Sequence, residues 1–251
     1  MNSTMFALLN YIYRYLWKSH PNLAVPILQG KSFGKKWILG STQVECALGN
    51  YESGQRILLE KMISNGDIVY DIGANVGYYT LLAELLTGKS GKVIAFEPVP
   101  RNLHYLKKHL EINNITTVDV IEKAVSDENG STLFCLGANF AMGHVYSDWV
   151  DKHEDEYITV SLISIDKAIE EDNLPIPNCI KIDVEGAETR VLHGAKSLIN
   201  QYHPKIFLSI HSNELRQECF EFLKSVGYHI EPIDNSNPEL AYEIYAYVEH
   251  A

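Results

Sequence analysis

The sequence predicts a doubly wound α/β fold, a Rossmann-like seven-stranded mixed sheet with an N-terminal helical appendage. Three observations carry this. Apolar, strand-like runs near 68–72, 92–96, 118–122, 179–182 and 205–210 alternate with helical patterns. The first run passes through a glycine turn, Asp71-Ile-Gly-Ala-Asn-Val-Gly77, into an apolar helix start at Leu81-Leu82-Ala83. The chain closes with two alternating segments, His229–Ile233 and Tyr242–Val248, around the polar stretch Asp234-Asn-Ser-Asn-Pro238. That is a hairpin signal, and it brings five parallel strands to seven.

Residues 1–50 read as the appendage. Met5–Trp17 is an apolar helix, followed by a turn at Pro21 to Pro26 and a hairpin around Lys36 to Cys46. The helix has no basic leader and no small-residue cleavage site, and it is too short to span a bilayer before Lys18. No membrane span is therefore expected. Phe6, Leu9, Tyr13 and Trp17 suit packing on the domain, a lid, or a homodimer contact.

Residues 51–251 read as the main domain. Gly54 to Ile63 is a helix that stops at Asn65-Gly66. Arg101–Asn113 is a second, with Leu103, Leu106 and Leu110 on one face. Asp166–Glu171, Ala187–Asn200 and Glu214–Val226 follow, the last ended by Gly227. An insertion at about 131–162 interrupts the alternation. Thr132–Leu136 and Tyr157–Leu162 look like an extra strand pair. The connection Gly137–Glu156, with Asn139, His144, Tyr146 and Trp149, is the candidate substrate side, since long loops in compact domains tend to be functional.

Charge and cysteine usage exclude some functions. A net charge of −11 argues against a nucleic-acid or anionic-membrane partner. Arg101, Lys107 and Lys108 read as a solvated helix face. Cys46, Cys135, Cys179 and Cys219 are far apart and form no C-x-x-C pair, so neither zinc nor a disulfide framework is indicated. A reducing cytoplasm fits this usage.

The glycine turn places a nucleotide-like ligand at the carboxyl edge of the sheet. Asp71 decides which one. A dinucleotide sets an anionic pyrophosphate here, and a carboxylate would repel it. The middle glycine of G-x-G-x-x-G is also absent. S-adenosylmethionine carries an ammonium and a sulfonium, and Asp71 suits both cations. Glu97 ends the second strand in Ala95-Phe-Glu-Pro98, where an acid can accept hydrogen bonds from a ribose diol. Ile180-Lys-Ile-Asp-Val-Glu-Gly-Ala-Glu188 lies beside the topological switch point, which turns Asp183 and Glu185 toward the cleft. An acid before a helix can also be only a cap. Ser209-Ile-His211 ends the fifth strand, where a histidine can be a general base near neutral pH or a structural residue.

Taken together, Gly49-Asn-Tyr-Glu52, Asp71-Ile-Gly-Ala-Asn-Val-Gly77, Phe96-Glu-Pro98, Ala124-Val-Ser-Asp127 and Lys181-Ile-Asp-Val-Glu-Gly-Ala-Glu188 resemble the FkbM-type S-adenosylmethionine-dependent methyltransferases. The resemblance runs from about Tyr51 to Ile233. It implies a class I methyltransferase fold and O-methylation of a small molecule, most often a sugar or a polyketide-type natural product. It implies S-adenosylmethionine as cofactor and S-adenosylhomocysteine as product. By similarity Asp71, Gly73, Asn75 and Gly77 would line the methionine end, and Thr80 would help hold its carboxylate. Glu97 would take the ribose. Pro98, Asn113, Ala124 and Val125 would border ribose and adenine, and Glu52 would close over the methionine. Relatives often carry an acid beside the strand-five histidine, where this chain has Ser209 and Ile210.

The expected catalytic residues are Asp183, His211 and Glu185, with His211 or Asp183 as the base that takes the acceptor proton. No metal is expected. A variant in which Asp183, Glu185 and a nearby acid hold Mg²⁺ or Ca²⁺ is an alternative. A catalytically inactive S-adenosylmethionine-fold binding module is another. A nucleic-acid methyltransferase is disfavoured by the acidic charge and by Asp183-Val-Glu-Gly186 where amino-directed enzymes carry a polar residue followed by Pro-Pro and an aromatic. An NAD-dependent oxidoreductase is disfavoured by Asp71.

Overall fold

The computed structural model describes residues 3–136, 144–145, 157–233, 237 and 240–249. In chain order the elements are α1 (Ser3–Ser19), β1 (Ala24–Pro26), β2 (Lys36–Ile38), α2 (Val44–Leu48), α3 (Ser53–Met62), β3 (Ile68–Ile72), α4 (Tyr78–Thr87), β4 (Lys92–Phe96), α5 (Pro100–Ile112) and β5 (Val118–Ile121). Then come β6 (Ala124–Val125), β7 (Gly130–Cys135), β8 (His144–Val145), β9 (Tyr157–Ile163), α6 (Ile165–Asp172), β10 (Cys179–Ile182), α7 (Glu188–Gly194), α8 (Lys196–Tyr202), β11 (Lys205–Ser209), α9 (Asn213–Ser225), β12 (His229–Pro232) and β13 (Glu243–Tyr247).

The main sheet has seven strands in the order β12-β13-β11-β10-β3-β4-β5. Strands β11, β10, β3, β4 and β5 are parallel, and β13 joins β11 and β12 antiparallel. This is the expected doubly wound mixed sheet. The strands are apolar on both faces because helices cover both. One core holds Val69, Val93, Leu81, Leu82 and Leu106. The other holds Ile72, Ile94, Ile180, Ile182, Val191 and Leu208. Chain order reverses between β3 and β10, so a crevice opens at their carboxyl ends.

Three expectations need correction. The N-terminal hairpin pairs β1 with β2, Val25 opposite Trp37, while Val44–Leu48 is a helix. Trp37 is fully buried and stacks on His109 at 3.9 Å between ring centroids. His109 in turn accepts from the Ile38 amide and donates to the Val76 carbonyl. Burial lowers its pKa to about 4, which keeps it neutral for this double role. The hairpin therefore shares the core of the sheet.

The expected helix Ala187–Asn200 breaks at Ala195 into α7 and α8. A Cβ on Gly194 would stand 1.9 Å from the Ser126 carbonyl, so this turn is pressed on a neighbouring chain segment. Asp166 restarts the helix by accepting from the Ser197 and Leu198 amides. The extra strand pair is part of a four-stranded sheet, β6-β9-β7-β8. Of the expected substrate loop, residues 137–143 and 146–156 lie outside the described residues, including Asn139, Tyr146 and Trp149; His144 is described only as strand backbone.

On the N-terminal side, Tyr13 of α1 is buried and donates to the Pro26 carbonyl. Trp17 donates to the Thr42 carbonyl at 2.8 Å. The opposite face leaves Met5, Leu8, Tyr11 and Tyr15 exposed. Among the described residues no helix is long and apolar enough to cross a membrane. All four cysteines are buried and unpaired.

Candidate active site

Four strand ends supply the site: Gly73 after β3, Glu97 after β4, Asp183 after β10 and His211 beyond β11. The turn after β3 needs its glycines. Gly73 has φ +79°, and a Cβ there would lie 1.9 Å from the Asp183 carbonyl oxygen. Gly77 has φ +93°, and its Cβ would meet the Leu106 side chain at 2.5 Å. Gly73 thus lets β3 and β10 close up, and Gly77 lets α4 pack on α5.

Two clefts meet at Gly73, Asn75, Asp183 and Glu185. The narrower one runs from Glu97 and Asn102 along Pro98, Val99, Ala124, Val125 and Phe134. The wider one, about 580 Å³, is bounded by Trp17, Tyr51, Glu52, Tyr79, Arg101 and His211. One end is apolar and the junction is acidic.

Glu97 is buried. It accepts from the Asn75 amide on Oε2 at 2.8 Å, and from the Val99 amide and the Asn102 side chain on Oε1 at 2.8 and 3.3 Å. These three donors fill three of about four acceptor positions of a carboxylate. One position is left for a ribose hydroxyl, and a second opens if the long Asn102 bond yields. Burial raises its pKa to about 7 against the lowering effect of those donors.

Asp71 and Thr80 lie elsewhere than expected. Asp71 is 1% exposed and Thr80 is fully buried, and neither borders the two clefts. Thr80 donates to Asp71 Oδ2 at 2.6 Å, while Oδ1 has no hydrogen-bond partner among the described residues. Asp71 fronts a small internal cavity with Lys181 and Tyr79. Burial raises its pKa, opposed by the Lys181 charge and the Thr80 bond. Leu82, Val69 and Leu59 line the same cavity, and the Thr80 hydroxyl and the Lys181 charge favour the carboxylate there. Asn113 is also removed from the site. It ends α5, some 20 Å along the helix from Pro100, and its side chain is bonded to both the amide and the carbonyl of Lys36.

The catalytic candidates do converge. His211 Nε2 lies 3.6 Å from Asp183 Oδ1 and 3.5 Å from Glu185 Oε2. Its Nδ1 lies 2.5 Å from Glu188 Oε1, and Glu188 is fully buried. Glu185 holds φ +43° and Gly186 φ +102°, a tight turn that brings both acids to the cleft. Burial works against the charged imidazole. The Glu188 bond and the charges of Glu185, Glu188 and Asp183 outweigh it and raise the pKa to about 9. His211 is therefore an imidazolium at neutral pH, not the neutral base the sequence suggested.

Sequence reasoning missed Lys181 and Glu188 as members of the site. Lys181 is buried in mid-strand, 3.0 Å from Asp183 Oδ2 and 4.7 Å from the Tyr79 ring centre. A lysine flanked by isoleucines in a buried strand is a legible sign of a charge held for a purpose. Behind them Gln55 donates to Ser209 and Glu243, and Tyr79 donates to Glu52.

Comparisons with known proteins identify relatives of the chain. Residues 71–241 match the family described as the methyltransferase FkbM domain. The chain is 27% identical over 158 residues to the hexuronic acid methyltransferase AglP of Haloferax volcanii, covering 62% of this chain and 61% of that protein. It is 29% identical over 161 residues to the 31-O-demethyl-FK506 methyltransferase FkbM of Streptomyces tacrolimicus, covering 52% and 60%. The matches thus span about three fifths of these relatives. A crystal structure of an FkbM methyltransferase from Methylobacillus flagellatus superposes with a TM-score of 0.55 at 20% identity, over 74% of this chain and 44% of that one. The last likeness establishes the fold.

Proposed function

The chain belongs to the FkbM methyltransferase family, and from that premise we propose that it transfers a methyl group from S-adenosylmethionine to a hydroxyl of a small molecule. The observation that carries the reading is the junction of two unlike clefts at an Asp183–Glu185–His211 cluster. The narrow cleft offers an adenosine an acid for the ribose and an apolar wall for the base. The junction is acidic, which suits a sulfonium and an ammonium. The wide cleft leaves room for an acceptor.

Bound S-adenosylmethionine supplies an electrophilic methyl on a cationic sulfur. The rest is the work of this chain. Glu97 and Asn75 fix the ribose end, and Pro98, Ala124 and Val125 close the apolar side. Glu52 and Asp183 supply negative charge to the methionine end. The acceptor oxygen is held in line from the wide cleft, and such positioning is worth up to about 7–11 kcal/mol. Asp183 Oδ1 takes the hydroxyl proton as the oxygen attacks. His211, already protonated, orients Asp183, and Lys181 anchors its other oxygen.

A sugar or a polyketide-type product is the acceptor class we favour. One relative is named for a hexuronic acid and another for a demethylated FK506. Trp17 and Tyr51 on the cleft wall offer flat faces to such rings. Isothermal titration with S-adenosylmethionine and S-adenosylhomocysteine is the first test. Micromolar binding of both, weakened at least tenfold in Glu97→Ala, is expected. Mass spectrometry over a panel of uronic acids, neutral sugars and macrolides then reports a one-methyl gain. Tight binding with no transfer to any of them would favour a binding module, and no binding by folded protein would overturn the reading.

A further inference from the structure

We infer that Asp183, Glu185 and His211 form a divalent-cation site that receives the acceptor hydroxyl. One ligand atom from each residue lies within 4.8 Å of the others. His211 Nε2 faces Asp183 Oδ1 at 3.6 Å and Glu185 Oε2 at 3.5 Å, too far for good hydrogen bonds. Ligands at right angles around a small cation stand about 3 Å apart. Closing these two gaps by about half an ångström would set the imidazole at ligand spacing from each acid.

A second observation comes from the other side of the ring. A metal-bound histidine almost always donates its remaining N–H to a carboxylate, a backbone carbonyl or water, which sets the ring and its tautomer. Here Nδ1 meets Glu188 Oε1 at 2.5 Å, and that carboxylate is fully buried. The same oxygen accepts from the Gly186 amide at 3.0 Å, and the other has no hydrogen-bond partner among the described residues.

Two carboxylates and one imidazole suit a first-row cation such as Mn²⁺, with other positions filled by water or by oxygens of the acceptor. The site lines both clefts through Asp183 and Glu185. An acceptor hydroxyl bound there becomes more acidic. The ion displaces the His211 Nε2 proton to solvent as it binds. The acceptor O–H bond then breaks with the pair left on oxygen, and its proton passes to water in the open cleft. Asp183 thus serves the loaded site as a ligand in place of acting as the base. This deepens the methyltransferase reading and rests on it.

The test is a titration of the metal-free full chain with Mn²⁺ alone, followed by loss of the free-ion electron paramagnetic resonance signal. Saturation at one ion per chain is expected, weakened at least tenfold in His211→Ala and in Asp183→Asn. Glu188→Gln, one shell out, should cost about 10–100-fold. Glu111→Gln, on the exposed face of α5, serves as a control and should change nothing. Binding of S-adenosylmethionine, measured in parallel without metal, separates the two claims. Protein that binds S-adenosylmethionine but takes up no Mn²⁺ would overturn the cation site and leave the activity standing. Mn²⁺ uptake that is indifferent to His211→Ala and Asp183→Asn would overturn it as well. Should one variant fail to fold, the other and the wild-type stoichiometry still decide.

Discussion

Thr80 donates a hydrogen bond from its hydroxyl to Asp71 Oδ2 at 2.6 Å inside the protein interior, behind the turn that faces the cleft. Asp71 thus acts on the site through the backbone of the turn and through Lys181. Thr80→Val removes the only hydrogen bond the Asp71 side chain has among the described residues, leaving a buried carboxylate bare. Denaturant unfolding should show a loss of about 1–3 kcal/mol, while affinity for S-adenosylmethionine changes less than threefold. A tenfold loss of affinity at unchanged stability would put this pair in contact with the ligand.

Glu97 gives a pH signature. Folded, it keeps its proton up to about pH 7, against an ordinary value of 4.5. Between those values the folded state binds more protons than the unfolded one, so stability falls as pH rises. The whole shift amounts to about 3 kcal/mol. Glu97→Gln should flatten this part of the stability curve, as read by urea unfolding at pH 5 and pH 8. A ribose hydroxyl donates best to the ionised form, so wild-type affinity for S-adenosylmethionine should rise from pH 6 to pH 8, and the variant's should not.

Asp183→Asn keeps the shape of the junction and removes its charge. Turnover should drop at least about 100-fold, a larger loss than the weakening of S-adenosylhomocysteine binding that follows from removing its charge at the methionine end. Single-turnover kinetics would check this, and near-normal rates would remove Asp183 from the chemistry.

Gly73→Ala would force a Cβ against the Asp183 carbonyl at a backbone angle that disfavours any side chain. The strand ends must part, at a cost of about 2–4 kcal/mol. The thermal midpoint should fall, and cofactor binding should be lost even where the protein stays folded.

Asn113→Ala tests a residue whose role is structural. It cuts the two bonds to Lys36 that tie the hairpin to α5. A loss of about 1–2 kcal/mol is expected, with S-adenosylmethionine affinity unchanged. Weakened binding would mean that the hairpin sets the shape of the cleft.

What the sequence determined alone was periodic or local. Alternating apolar runs placed the five parallel strands, since a strand buried on both faces must be apolar throughout. The glycine turn and the acids at strand ends marked Gly73, Asn75, Glu97, Asp183 and Glu185, because such turns require residue types that few other settings tolerate. The tertiary structure decided the direction in which each side chain points. Asp71 and Glu97 both end strands of one edge, yet neighbours turn Asp71 inward to Thr80 and leave Glu97 at the cleft. Asn113 follows β4 in sequence, but the length of α5 carries it away. The pairing of His211 with Glu188 spans 23 residues, and no local pattern encodes it. Only the approach of β11 to α7 brings the imidazole among three acids, and that electrostatic company sets its charge.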